Sequence, residues 1–149
     1  MDRKNLGNLG VYLAVLSPAV PWIYASYGGK YVTVFFSLGF LDIFPGNRAG
    51  MPSSGHRFVD IYSYTFELTQ GFSGFYWFWH ISVILVAAAL ISVYIGKKRM
   101  AGLLFVIASL SVLRLWMGLG RHPNSFVFPV GSPWLFVTGL TLFYQDRLS

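Results

Sequence analysis

The chain has 149 residues, of which 55% are hydrophobic and 11% are charged, and its formal net charge is +6. This composition is too apolar for a disordered chain and predicts an integral membrane protein with one membrane domain over residues 1–149. Because the chain has no cysteine, disulfides, thiolate catalysis and iron–sulfur ligation by its own residues are excluded.

Four apolar segments have about the length of ~20 residues that a helix needs to cross a hydrocarbon core of ~30 Å. They are residues 9–27, 76–96, 101–120 and 126–144. We therefore predict an all-α membrane protein with four transmembrane helices. The first helix is expected to kink or end late in its span, at Pro18 and Pro21, because proline lacks an amide donor and clashes with the preceding turn.

Residues 28–75 are predicted to form a cap on the outer side of the membrane. Within the cap, residues 31–44 are rich in large apolar side chains but short for a full span, so a re-entrant segment, an interfacial segment and a short β-hairpin all remain open. A fifth span is disfavoured because it would send the basic amino terminus outside. Apolar residues from His56 to Gln70 approximate helical spacing and predict a short amphipathic helix on the membrane surface.

The basic residues lie at the ends of apolar segments rather than along one solvated face, so the net charge does not indicate a nucleic-acid partner. Lys97, Lys98 and Arg99 fill the turn between the second and third spans, which the positive-inside rule assigns to the cytoplasm. Alternation of four spans then predicts a multi-pass protein of the cell membrane with both termini in the cytoplasm.

Arg114 is the only charged residue deep within a predicted span, where a guanidinium facing lipid would cost several kcal/mol. Counted inward from the outer ends of their spans, His80 lies roughly 6 Å deep and Arg114 roughly 9 Å deep, so the two could meet. Arg121 follows seven residues later on nearly the same helix face. With Glu67 as the first-choice counter-charge, these four residues form a candidate site for an anion or a lipid headgroup. In the alternative interpretations, Arg114 snorkels or forms a single buried ion pair.

Catalysis has little support in the sequence. There is no nucleophile elbow, no HExxH motif and no phosphate-cradling glycine loop, and His80 and His122 match no metal or haem signature. We therefore expect no enzyme, no cofactor and no metal. The prediction is a non-enzymatic accessory or assembly subunit that contacts the lipid bilayer and partner membrane proteins or copies of itself. The alternative is a small binding or transport module for an anionic ligand or lipid headgroup on the outer side.

Helix packing is indicated by Ala88, Ser92 and Gly96, which recur at every fourth residue of the second span and give one helix face small enough for close backbone approach. Packing within the bundle and self-association both remain open.

Four motifs carry a resemblance to known proteins: PW at 21–22, VFFSLGFLDIFP at 34–45, AGLL at 101–104 and FPVGSPW at 128–134. Together they resemble a family of small multi-span membrane proteins of halophilic archaea that has no assigned activity. The resemblance covers most of the chain and implies a shared membrane fold, but it transfers no catalytic residue. The basic net charge departs from the acidic composition of most halophile proteins.

Overall fold

A computed structural model describes residues 3–27, 31–44, 55–60, 77–119 and 125–145. Within these ranges the protein is mixed α/β, with four helices and one five-stranded antiparallel sheet. The helices are α1 (Arg3–Leu16), α2 (Trp77–Tyr94), α3 (Lys98–Leu119) and α4 (Gly131–Gln145). The strands are β1 (Ile23–Tyr27), β2 (Tyr31–Phe35), β3 (Gly39–Phe44), β4 (Gly55–Asp60) and β5 (Ser125–Phe128). The prediction of an all-α protein with four transmembrane helices is therefore wrong.

Among the described residues, two helices are long and apolar enough to cross a membrane, namely α2 and residues Lys98–Gly118 of α3. The other two predicted spans are wrong. Helix α1 has 14 residues and α4 has 15, which corresponds to only about 21–23 Å at the rise of a helix, less than a hydrocarbon core of ~30 Å. The apolar runs predicted as the first and fourth spans each contain a strand as well as a helix.

The change from helix to strand in the first run follows from its prolines. Helix α1 ends at Leu16, turns follow, and β1 begins only at Ile23, beyond Pro18 and Pro21. A proline supplies no amide donor, so the helix ends before the pair and the apolar residues beyond it take extended conformations. The indole N–H of Trp22 donates a hydrogen bond to the Ser17 carbonyl at 3.3 Å and closes this connection.

The sheet has the strand order β4-β3-β2-β1-β5. Strands β1 to β4 form a meander, and β5 returns after α2 and α3 to pair with β1. Of the structures left open for residues 31–44, the β-hairpin is the one observed, with the Phe36 N–H donating to the Gly39 carbonyl across the turn at 2.8 Å. The amphipathic helix predicted from His56 is wrong at its start, because Gly55–Asp60 is a strand; its remainder lies outside the described residues.

The four helices meet the sheet at one common end, which we call the sheet end. The connections from α1 to β1 and from β5 to α4 lie there, and the indole of Trp116 in α3 donates to the Val127 carbonyl of β5. Helices α3 and α4 are antiparallel, because Gly102 faces Gly139 near one end and Ser109 faces Ser132 nearer the other. Helix α1 runs antiparallel to α4, with Gly10 beside Gln145. The start of α1, the end of α4 and the α2–α3 turn therefore share the opposite end, which we call the basic end.

The turn at the basic end has a backbone geometry that requires glycine. Gly96 has a φ of +78°, its N–H donates to the Val93 carbonyl at 3.0 Å, and the Lys97 N–H donates to the Ser92 carbonyl at 2.8 Å. These two bonds define a Schellman motif, which ends α2 and starts α3 almost at once. Ser92, a member of the predicted packing face, is buried. Gly96 is exposed, and its role is to adopt the positive φ that the turn requires.

Helices α3 and α4 pack through glycine and serine. Gly102 and Gly139 lie so close that a Cβ on either one would stand 2.6 Å from the carbonyl oxygen of the other. Near the sheet end, the Ser109 and Ser132 hydroxyl oxygens are 2.9 Å apart, and each hydroxyl can donate to the carbonyl of the other residue, at 2.9 Å from Ser109 and 3.2 Å from Ser132. All four residues are buried. Close backbone approach and hydrogen bonding across helices are the interactions that hold helices together where the surroundings are as apolar as the side chains.

Candidate functional site

Arg114 lies on the outward side of α3. Two sets of residues on α3 recur at alternating intervals of three and four and so form two stripes along the helix. The buried stripe is Ala101, Phe105, Ala108, Val112 and Leu115. The exposed stripe is Met100, Leu103, Ile107, Leu110, Arg114 and Met117. Arg114 therefore interrupts an apolar exterior rather than facing the interior of the bundle.

The guanidinium of Arg114 lies over a ring of the neighbouring helix, with its central carbon 5.9 Å from the centroid of Phe78. Contacts of this length between an arginine and an aromatic face are attractive. Arg114 precedes the end of α3 at Leu119 by about 7.5 Å of helix rise, a distance that a long side chain can largely bridge. The choice between snorkelling and a single ion pair for Arg114 stays a prediction.

The guanidinium of Arg114 lies over Phe78, whereas His80 packs beside tryptophan rings. His80 is half-buried and contacts the rings of Trp77 and Trp79, each at 5.9 Å between centroids. It follows Phe78 by two residues, so the two side chains leave α2 about 200° apart. Glu67 and Arg121, the other two members of the predicted anion site, lie outside the described residues, as does His122. The four-residue site stays a prediction.

Asp42, another acid of the predicted cap, belongs to the sheet. The Thr33 hydroxyl donates a hydrogen bond to its carboxylate at 2.5 Å, and the strand register places Asp42 opposite Arg57. Thr33 is buried on the side of the sheet that also buries Ile23, Ala25, Phe35, Phe40 and Val127. Asp42 therefore lies on the inward side of the sheet, where its carboxylate accepts a hydrogen bond from the buried Thr33 hydroxyl.

Four tryptophans tie the sheet end together, and we call them the tryptophan junction: Trp22, Trp79, Trp116 and Trp134. Trp79, in the first turn of α2, donates to the Phe36 carbonyl at 2.9 Å, and Trp116 of α3 donates to the Val127 carbonyl at 2.7 Å. The indole of Trp134 bonds the Ser17 hydroxyl at 3.2 Å. Phe35 meets Trp79 edge to face at 5.7 Å. Because each bond joins an end of a helix to a strand or a connection, the sheet is fixed against the helix ends.

The opposite side of the sheet, which we call the outward sheet face, is apolar and accessible. The register aligns two rows across all five strands. One row is Phe128, Tyr24, Val34, Leu41 and Phe58, and the other is Phe126, Ser26, Val32, Ile43 and His56. The exposed fractions are 63% for Phe126, 57% for Phe58 and 53% for Phe128. Sequence reasoning missed this face because it assigned β1 and β5 to transmembrane helices; the alternation in Ser125–Phe128 was the signal available.

In the part of the chain that the structure describes, these features define a mixed α/β protein with two helices apolar enough to cross a membrane and a sheet joined to the ends of its helices. The chain belongs to the family described as Domain of unknown function (DUF8050), whose model matches residues 2–149. No curated protein matches the chain. Because the family description assigns no activity, the function has to be argued from the geometry.

Proposed function

We propose that the protein is a non-enzymatic accessory or assembly subunit of a membrane, which acts by contact with partner membrane proteins. The observation that carries the proposal is the outward sheet face, an accessible apolar surface fixed to the end of an apolar helical hairpin. Contiguous exposed apolar patches on proteins mark sites of interaction with other proteins or with membranes.

The membrane location is supported by the distribution of polarity in the helices. Large apolar side chains are turned outward, with Ile84 at 67% and Ile91 at 63% exposure, whereas Ser82, Ser109 and Thr138 are buried. A water-soluble bundle arranges these residue types in the opposite way. In a bilayer the outward isoleucines contact lipid, and the buried hydroxyls find partners inside, as Ser82 does with the Phe78 carbonyl at 2.6 Å.

The orientation follows from the two ends of the α2–α3 hairpin. Lys97, Lys98 and Arg99 occupy the basic end, which belongs in the cytoplasm by the positive-inside rule. The start of α1 and the end of α4 share that end, so both termini are cytoplasmic in this proposal. The sheet end is then outside, and the exposed Trp77 lies at the outer interface, where tryptophan is enriched.

A protein partner covers the outward sheet face better than lipid chains do. Helix α2 has 18 residues and is about 27 Å long, so it spans nearly the whole thickness of a hydrocarbon core of ~30 Å. The sheet contacts α2 through Trp79, in the first turn, so it lies beyond most of that length. In this proposal the rows of the outward sheet face lie past the acyl chains, where a partner surface removes them from water.

Site-specific photo-crosslinking in native membranes tests the proposal. A photoreactive phenylalanine analogue replaces Phe58 or Phe128 on the outward sheet face, and as a control it replaces Ile91 on the outside of α2. We expect both sheet positions to form adducts with the same membrane protein and the control position to form adducts with lipid. If neither sheet position gives a protein adduct, or if Ile91 gives the same one, the contact function is wrong.

A further inference from the structure

The basic end of the α2–α3 hairpin presents a compact positive surface. Lys97 and Arg99 are exposed and Lys98 is half-buried, and the Schellman motif holds all three at the junction of the two helices. We call Lys97, Lys98 and Arg99 the basic turn.

Apolar side chains surround the basic turn on the outside of both helices. Tyr94 is 91% exposed, Ile95 is 56% exposed, and Met100 is 49% exposed. The boundary between acyl chains and headgroups in a membrane is enriched in aromatic rings and long basic side chains. The three apolar side chains beside the three cations have the composition expected at that boundary. The surface therefore offers cations at the level of lipid phosphates and apolar contacts directly beside them.

We infer that the basic turn binds the phosphate groups of anionic phospholipids in the leaflet on its side of the membrane. The inference rests on the proposed membrane location and concerns the end of the hairpin opposite to the outward sheet face. Lysine and arginine bind phosphate through charge-assisted hydrogen bonds, which are stronger than bonds between neutral groups. The attraction of one basic residue to an anionic leaflet corresponds to about a fivefold gain in affinity, so three residues give roughly a hundredfold.

The test uses the full chain in nanodiscs of phosphatidylcholine with increasing fractions of phosphatidylglycerol, and follows thermal unfolding by circular dichroism. We expect the unfolding temperature to rise with the phosphatidylglycerol fraction. In the triple variant K97Q/K98Q/R99Q this rise should disappear, whereas the charge-preserving variant K97R/K98R/R99K should retain it. Each single glutamine variant should need about five times as much phosphatidylglycerol for the same rise in unfolding temperature. These single variants test the inference if the triple variant does not fold.

Two controls separate the basic turn from other sources of the same effect. R114Q tests the predicted anion site near the sheet end, and a response that is lost in this variant belongs to that site and not to the basic turn. Inorganic phosphate added to phosphatidylcholine nanodiscs should give no rise, because it lacks the acyl chains that contact Tyr94 and Ile95. A rise that persists in the glutamine variants, is lost in R114Q, or is reproduced by inorganic phosphate would overturn the inference. Flotation with neutral vesicles tests the membrane location separately, since it does not depend on anionic lipid.

Discussion

Replacing Gly139 by alanine should separate α3 from α4 and destabilise the protein. The added Cβ would stand 2.6 Å from the Gly102 carbonyl oxygen and 3.0 Å from the Val106 backbone nitrogen. Both atoms belong to the backbone of a helix, so neither can rotate away as the end of a long side chain can. The two helices would have to move apart by about 1 Å to restore ordinary contact distances.

The size of the effect follows from two opposing terms. Overpacking of this kind costs about 1–3 kcal/mol, and the rigid neighbours place Gly139 at the upper end of that range. Alanine gains about 1 kcal/mol over glycine inside a helix. We therefore expect Gly139→Ala to lower the free energy of unfolding by about 2 kcal/mol. The measurement is reversible unfolding in mixed micelles with increasing sodium dodecyl sulfate, followed by circular dichroism.

Gly10→Ala in α1 is the matched control. Its Cβ would also be close to other atoms, at 2.8 Å from Oε1 of Gln145 and 3.0 Å from Cδ2 of Leu142, but both lie at the ends of flexible side chains. This variant should stay within about 0.5 kcal/mol of the native protein, since helix propensity offsets the adjustment. The double variant Gly102→Ala/Gly139→Ala should cost less than the two single changes together, because one separation accommodates both methyl groups. A Gly139→Ala protein as stable as the native one would refute the close packing of α3 and α4.

Two further predictions concern the ends of the helical hairpin. Gly96→Ala should lower the free energy of unfolding by about 1 kcal/mol in the same titration, because a φ of +78° is strained for alanine although no atom lies within 4 Å of its Cβ. Gly96→Asn should recover part of that loss, and equal effects of the two changes would argue against a conformational cause. For orientation, single cysteines at Leu38 and Lys97 in this cysteine-free chain should differ toward an impermeant thiol reagent on intact cells, with Leu38 labelled and Lys97 protected. Labelling of Lys97 alone would invert the proposed orientation.

The sequence was sufficient for α2, α3 and the turn between them. Each of these helices is a long apolar run, and Lys97, Lys98 and Arg99 mark the boundary between the two. The run at residues 9–27 was misinterpreted because hydropathy does not distinguish an apolar helix from an apolar strand. The two prolines indicated a break, but the strand beyond them is stabilised by β5, whose position no local pattern reveals.

For Arg114, the sequence indicated its depth along α3 but not its direction around the helix axis. That direction depends on which stripe of α3 is buried, and the buried stripe is the one with Ala101 and Ala108, whose small side chains allow neighbouring helices to approach. The predicted meeting of Arg114 with His80 assumed that both side chains point inward. Depth alone could not test that assumption, because the direction of a side chain around the helix axis depends on which face of the helix the tertiary structure buries.

The pairing of β1 with β5 also determines the order in which the protein can fold. Strand β2, which pairs with one edge of β1, follows β1 directly in the chain. Strand β5, which pairs with the other edge, comes only after α2 and α3. That second edge of β1 therefore has no partner until β5 has been synthesised. Unpaired strand edges recruit other chains, and contacts between distant segments form slowly because a long loop must close first. Packing of α2 against α3 brings the start of β5 to the end of the bundle where β1 lies. Closure of the sheet at β1 therefore depends on prior formation of the helical hairpin.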